Sequence, residues 1–215
     1  MKLSGEIVPL LLAWYDANKR ILPWRDDPTP YRVWVSEIML QQTRVEAVRA
    51  YYERFMAELP TLESLAEVDD ERLMKLWEGL GYYSRARNLK KAARMLVEEF
   101  GGEFPRSRED LLKLPGIGEY TAGAVASIAM NLAEPAVDGN VLRVISRLTG
   151  SRADIAKPQT RDEVSAALRK IYPAGRCGDF TQALMELGAT VCLPNGEPLC
   201  LVCSWAELCT ARREG

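Results

Sequence analysis

Leu114-Pro-Gly-Ile-Gly-Glu-Tyr-Thr-Ala122 is the stretch that decides the fold. Gly116 and Gly118 stand two apart, behind a Leu-Pro step and ahead of a helix. That spacing predicts a tight turn whose bare amides point outward from the helix start. Aligned amides and the helix dipole both favour an anion there, so the turn is a candidate phosphate cradle. The segment that follows, Thr121 to Met130, is rich in Ala, Gly and Ser. Small side chains let neighbouring helices approach closely, which marks it as a central helix.

Leu-Pro-Gly-Ile-Gly leading into a small-residue helix is a helix-hairpin-helix pattern, a device that holds a DNA backbone without reading base sequence. Working outward, almost every segment shows a helical period and none sustains strand alternation. Val45, Val48, Tyr52, Phe55 and Leu59 share a face, as do Leu73, Leu76, Trp77 and Leu80, stopped by Gly81. Leu89, Ala93, Leu96 and Phe100 end at Gly101-Gly102. Val164, Ala167, Leu168 and Ile171 form another stripe, and so do Phe180, Ala183, Leu184, Leu187 and Val191. Ser107-Arg-Glu-Asp110 and Thr160-Arg-Asp-Glu163 read as capping-box starts. Ile7 to Trp14 is apolar, but it contains Pro9 and no small-residue cleavage site follows. It reads as an amphipathic helix with Ile7, Leu10, Leu11 and Trp14 on one face, not as a signal peptide. The expectation is an all-α chain of about ten short helices. No low-complexity linker is visible, so any boundary is compact, with Pro135 as the expected crossing point.

The 215 residues carry 28 basic and 30 acidic side chains for a net charge of −2. Hydrophobic residues make up 47% and charged ones 27%, ordinary globular values that exclude disorder. No apolar run approaches the ~18 residues of a membrane-spanning helix. Histidine is absent. That excludes Ser-His-Asp and Cys-His nucleophile systems, histidine zinc sites and imidazole proton shuttles. Proton chemistry near neutrality must run on shifted carboxylates, Lys, Tyr or Cys. Charge is nevertheless patterned: Gly139 to Arg176 holds eight basic and three acidic residues, and Arg85, Arg87, Lys90, Lys91 and Arg94 form a second basic run. Solvated helix faces explain either run as well as a phosphate track does.

Four of the five cysteines fall as Cys192-x7-Cys200-x2-Cys203-x5-Cys209, while Cys177 stands alone. Four thiolates so spaced can converge on one centre, and an all-cysteine zinc site or a four-iron, four-sulfur cluster (4Fe–4S) both fit. Structural zinc usually uses two Cys-x-x-Cys knuckles and only one such pair is present, so the spacing leans toward iron–sulfur. Two disulfides are the ordinary alternative, disfavoured by an intracellular setting.

Two carboxylates stand out. Glu37 lies in the apolar segment Val33-Trp-Val-Ser-Glu-Ile-Met-Leu40, where burial would raise its pKa and keep it protonated as a general acid. Periodicity alone favours an acid reaching solvent at the edge of its helix. Asp138, in Ala136-Val-Asp-Gly-Asn-Val141, precedes a helix and fits an N-cap.

Taken together, VWVSEIMLQQT at 33–43, GLGYYSRARN at 79–88, LPGIGEYTAGAV at 114–125, VDGNV at 137–141, Phe180 to Cys192 and the cysteine cluster occur in the order seen in MutY-type adenine DNA glycosylases. The chain resembles these members of the endonuclease III-like, helix-hairpin-helix superfamily from Pro23 to Cys209. The resemblance implies a two-lobed all-α fold: a six-helix barrel over residues 22–131, and an iron–sulfur domain from residues 1–21 with 132–215, the substrate base entering between. It implies removal of adenine mispaired with 8-oxoguanine or guanine, after the base is flipped from the stack. Glu37 matches the general acid that protonates adenine at N7. Asp138 matches the carboxylate that stabilises the oxocarbenium-like sugar, with Asn140 bonded beside it. Tyr120 occupies the position where bifunctional relatives carry a Schiff-base lysine, so a monofunctional enzyme is implied. Trp24, Arg25 and Gln182 match the adenine pocket. Gln41, Gln42, Tyr82, Leu114, Gly116 and Gly118 match DNA-contacting positions, Gln42 and Tyr82 being inserted into the duplex. Cys192, Cys200, Cys203 and Cys209 match the cluster ligands.

The implied partner is double-stranded DNA with an adenine mispair, met by a monomer in the bacterial cytosol with no membrane involved. Two departures stand against the pattern. The first cysteine gap is seven residues where the family usually has six, an insertion within Leu193–Leu199 expected to bulge without breaking the cluster. The chain also stops at Gly215, where full-length relatives continue into an 8-oxoguanine-recognition domain, so a catalytic fragment or a short member is expected. Two other readings compete: a thymine or uracil mismatch glycosylase on the same scaffold, and a non-catalytic helix-hairpin-helix module. Glu37 with Gln182 favours adenine, and Glu37 with Asp138 disfavours a pure binder.

Overall fold

The computed structural model describes residues 1–215, and it contains helices and no strand. α1 (Ile7–Asn18) is followed by a 3-10 turn (Pro23–Arg25), α2 (Pro30–Leu40), α3 (Val45–Glu58), α4 (Leu62–Glu67), α5 (Asp70–Trp77), α6 (Ser84–Phe100) and α7 (Arg108–Leu111). α8 (Glu119–Ala124) runs on through a π-turn at Val125–Ala129. α9 (Gly139–Thr149), α10 (Pro158–Arg169), α11 (Cys177–Thr190), a second 3-10 turn (Cys200–Val202) and α12 (Thr210–Glu214) complete the chain. None of the helices is long and apolar enough to cross a membrane. The chain forms two compact units, a continuous one from Ile21 to Met130 and a two-segment one from Met1–Arg20 with Asn131–Gly215.

In the continuous unit, α2 starts where Thr29 Oγ1 accepts from the Arg32 amide at 3.3 Å and Pro30 presets the first helical turn. Eight of its eleven residues are buried. A helix covered on nearly every face sits in the middle of its unit, and α3, α6 and α8 with its π-turn all pack on it. Phe55 and Trp77 meet edge to face with centroids 6.2 Å apart, among fully covered Leu65, Leu73, Leu89 and Leu96. Each large apolar side chain so buried contributes about 1.5–3 kcal/mol. The small residues Ala122, Ala124 and Ala126 are wholly buried, as the Ala/Gly/Ser run anticipates. α6 stops at Gly101, in the left-handed region at φ +64°, where the Gly102 amide closes onto the Leu96 carbonyl at 2.9 Å. α5 ends at Trp77, earlier than its stripe suggested, and Leu80 is buried from the turn beyond.

The two-segment unit buries Ile7, Leu11 and Tyr15 of α1 against Val141 and Ile145 of α9, and Phe180, Leu184 and Leu187 of α11. Trp205 completes this core, its indole N–H donating to the Ile7 carbonyl at 2.8 Å. Two expectations are corrected. The buried face of α1 is Ile7, Val8, Leu11, Leu12 and Tyr15, whereas Leu10 is 44% exposed. α10 begins at Pro158, so Thr160 lies inside it and donates to the Asp154 carbonyl at 2.7 Å instead of opening a capping box. Ser107 does cap α7, accepting from the Asp110 amide at 3.0 Å.

Candidate functional site

Because α2 is enveloped, Glu37 has no solvent edge to reach: it is 6% exposed, against the expectation from periodicity. The Tyr120 hydroxyl donates to its Oε2 at 2.7 Å. Tyr120 stands in the first turn of α8, which the hairpin launches. Leu114 and Ile117 anchor that hairpin by burial and leave Gly116 and Gly118 at the surface. Gly116 sits at φ +79°, and a Cβ there would lie 2.9 Å from Asn88 Cβ, so only glycine fits. Gly118 is extended, at φ −100° and ψ −177°, with open space beside it. Its carbonyl accepts from Ala122 at 2.9 Å, the first bond of α8.

Two exposed turns of the same unit hold non-glycine residues in the left-handed region, Gln42 at φ +57° and Tyr82 at φ +48°. Such backbone costs about 1–3 kcal/mol and persists only when its surroundings dictate it. Arg85 supplies the dictation. Its buried guanidinium donates to the carbonyls of Ile38, Met39 and Gln41 at 2.7–3.0 Å, and of Leu80 and Gly81 at 3.0 and 3.2 Å. It also lies over the rings of Trp77 and Tyr82, 5.4 and 5.6 Å from their centroids. Sequence reading grouped Arg85 with the basic run and missed this role. The available signal was its register, since Arg85, Leu89, Ala92 and Leu96 fall on one buried stripe. Trp24 is buried edge-on against Tyr52 with centroids 5.5 Å apart, and Arg25 beside it is half-buried.

In the two-segment unit Asp138 caps α9, its Oδ1 accepting from the Val141 amide at 2.8 Å. The N-cap role is therefore real, and it leaves Oδ2 to accept from Asn140 Nδ2 at 2.8 Å. Asn140 Oδ1 in turn accepts from Arg143 at 2.8 Å, which fixes which way the amide faces. Arg143 also donates to the carbonyls of Gly188 and Cys192, both at 2.9 Å. α11 approaches closely at Gly188, where a Cβ would lie 2.6 Å from Asn140 Cβ. Arg143 was not singled out from the sequence, although Asn140, Arg143 and Arg147 share a helical face. Gln182 is half-buried on α11.

Cys192, Cys200, Cys203 and Cys209 line one cavity of about 370 Å³, closed further by Arg147, Val191 and Ala206. None is in a disulfide. Arg147 donates to Cys192 Sγ at 3.3 Å and to the Leu193 carbonyl at 2.8 Å. Burial pushes the Cys203 thiol up, and the other three sulfurs add to that. The long first gap closes as a loop, the Leu199 amide donating to the Val191 carbonyl at 2.9 Å, and Cys200 still faces the cavity.

The structure thus joins Glu37 with Tyr120, Asp138 with Asn140, and the four clustered cysteines with one another. Human adenine DNA glycosylase is 49% identical to the chain over 212 residues, covering 94% of the chain and 39% of that protein. The chain spans about two fifths of the length of the mammalian relatives it matches. Among solved structures, a thermostable thymine-DNA glycosylase superposes with a TM-score of 0.88 at 29% identity, covering 98% of this chain and 96% of that one. A non-covalent endonuclease III–DNA complex gives 0.77 at 26%, covering 99% and 98%. The sequence pattern described as HhH-GPD superfamily base excision DNA repair protein matches residues 35–174. The chain belongs to the HhH-GPD superfamily of base excision DNA repair proteins.

Proposed function

We propose that the chain is a monofunctional DNA glycosylase that binds duplex DNA, extrudes adenine from a mispair with 8-oxoguanine or guanine, and hydrolyses its N-glycosidic bond. The observation that carries the reading is the buried Glu37 carboxyl held by Tyr120. In its protonated form this carboxyl passes its proton to adenine N7. The C1′–N9 bond then breaks with its electron pair going to the base, and water adds at C1′ while giving a proton to the Glu37 carboxylate, which restores the acid. Asp138, its two oxygens held by Val141 and Asn140, is the anion that stabilises the cationic sugar. Tyr120 has no amine with which to form a Schiff base, so the product is an abasic site.

The thiol cavity fits the cluster better than a single ion. Four sulfurs outside any disulfide line one space of about 370 Å³, room for a group larger than one ion. We assign Cys192, Cys200, Cys203 and Cys209 as ligands of a 4Fe–4S cluster, which supplies a covalent cross-link between four chain positions.

The test is a set of duplexes with adenine opposite 8-oxoguanine, adenine opposite guanine, and thymine opposite guanine, treated with alkali after incubation. Strand cleavage at adenine is expected. Cleavage confined to thymine would establish the second reading, which the thymine-DNA glycosylase superposition favours. Glu37→Gln is expected to keep duplex binding and lower single-turnover excision by about 10²–10⁴-fold. Excision at the wild-type rate would show the acid to be misassigned.

A further inference from the structure

Both basic runs in the sequence keep some of their charges unpaired, and one of them gathers its charges around a cavity. In the run from 139 to 176, Arg143 and Arg147 turn inward to carbonyls and the Cys192 thiol, while Arg169 pairs with Glu134 and Arg176 with Asp16 and Asp179. In the other run Arg85 is also turned inward. The remaining four, Arg87, Lys90, Lys91 and Arg94, gather around a separate cavity of about 180 Å³ between α5 and α6. That is space for about six waters at about 30 Å³ each, ample for a phosphate group with its hydration.

One acid faces these four cations. Asp70, at the start of α5, pairs with Lys90. Lys90 is 7% exposed and forms the floor of the groove, whereas the Asp70 side chain is 86% exposed at its lip. The Lys90 hydrogen bond, with the charges of Lys90, Arg94 and Arg87, holds the Asp70 carboxyl below the usual range. Arg94 is steadied by donating Nε to the Ala66 carbonyl at 3.1 Å, which leaves its charge uncompensated. Arg87, Lys91 and Arg94 make no ion pair, so the lining carries a net charge of about +3. A cavity lined by four cations and one carboxylate focuses field on an anion that enters.

We propose that this groove is a second phosphate site, taking the sugar-phosphate backbone of duplex DNA in addition to the hairpin at Leu114–Gly118. Two features favour a backbone over an isolated anion. The row from Arg87 to Arg94 extends about 10 Å along α6, longer than one phosphate. It also begins beside the hairpin, because Asn88, next to Arg87, packs against Gly116. The proposal rests on the chain binding duplex DNA and not on which base is removed.

The experiment measures binding to an undamaged duplex, longer than the hairpin alone can cover, across a series of salt concentrations. Each neutralised phosphate contributes about 0.9 to the slope of log K against log salt. Arg87→Gln/Lys91→Gln/Arg94→Gln is expected to lower that slope by about 2–3. Arg87→Lys/Arg94→Lys, which keeps the charges, is expected to retain it, separating an electrostatic role from a packing one. Titration with inorganic phosphate, followed at Lys91 by NMR, forms the second arm. Phosphate binding with an unchanged DNA slope in the glutamine variant would reduce the groove to a free-anion site and overturn the proposal. An equal slope in wild type and glutamine variant overturns it alone; absence of any duplex binding would overturn this and the preceding section together.

Discussion

Replacing Arg85 by lysine keeps the charge and removes the fork. The guanidinium feeds three carbonyls at the C-terminal end of α2, those of Ile38, Met39 and Gln41, and two in the turn before α6. An ammonium has three donors, so at least two buried carbonyls lose their partner. Each bond to a charged donor contributes about 1.5–3 kcal/mol, which puts Arg85→Lys at about 3–6 kcal/mol of destabilisation. For a chain of this size that is a fall in melting midpoint of about 10 °C, at about 2–4 °C per kcal/mol. The damage is local first, because Gln42 and Tyr82 hold left-handed conformations that relax once the carbonyls are released. Amide exchange at residues 40–43 and 79–83 should accelerate before the rest of the continuous unit loosens, and thermal melts by circular dichroism give the global figure. A midpoint within about 2 °C of wild type, with unchanged exchange in both turns, would refute the argument that one side chain holds them.

Gly188→Ala forces a Cβ against Asn140 backbone and side chain, at 3.2 and 2.6 Å, so it should cost about 1–3 kcal/mol and slow excision at least tenfold by shifting the amide beside Asp138. Wild-type single-turnover rates would contradict that. Gly116→Ala, strained at φ +79° and crowded by Asn88, should weaken duplex affinity, while Gly118→Ala, extended and unobstructed, should leave it nearly intact; equal affinities would count against the hairpin assignment. Burial pushes the phenols of Tyr52 and Tyr172 up to about 12, above the ordinary value near 10 expected when unfolded. The stability they contribute is therefore complete below pH ~10 and lost as pH climbs toward 12. Denaturation midpoints from pH 9 to 11.5 should fall in wild type and fall less steeply in Tyr52→Phe/Tyr172→Phe, where the buried Tyr31 phenol, also pushed up by burial, keeps part of the slope; parallel curves would show the two phenols are not responsible.

The helical class, the stop of α6 and the burial of Ala122 to Ala126 were legible because each follows from local rules: period, a left-handed cap, small side chains. What was not legible depended on partners distant in sequence. The register of α1 could have favoured Leu10 and Trp14 or Val8, Leu12 and Tyr15, and the choice falls to the core it joins, in which Trp205 bonds the Ile7 carbonyl. Glu37 reads as an edge residue until α3, α6 and α8 are seen to close around α2. At the candidate site, residue types with an unusual setting were visible, as with Glu37, Asp138 and the four cysteines, while Tyr120 stood out only through the family resemblance. Arg85 and Arg143 were not, because an arginine that serves carbonyls is spelled the same way as one that serves solvent.

The two-segment unit draws Ile7 and Trp205 into one core across almost the whole chain, whereas every residue of the continuous unit lies between Ile21 and Met130. During synthesis the first helix must wait, its apolar face uncovered, until the cysteine-bearing tail has left the ribosome. The continuous unit can close long before then, its contacts being nearer in sequence. Cellular conditions that delay or damage the tail should leave the nascent product half finished: one lobe formed, and a greasy amino-terminal helix exposed to chaperones and proteases.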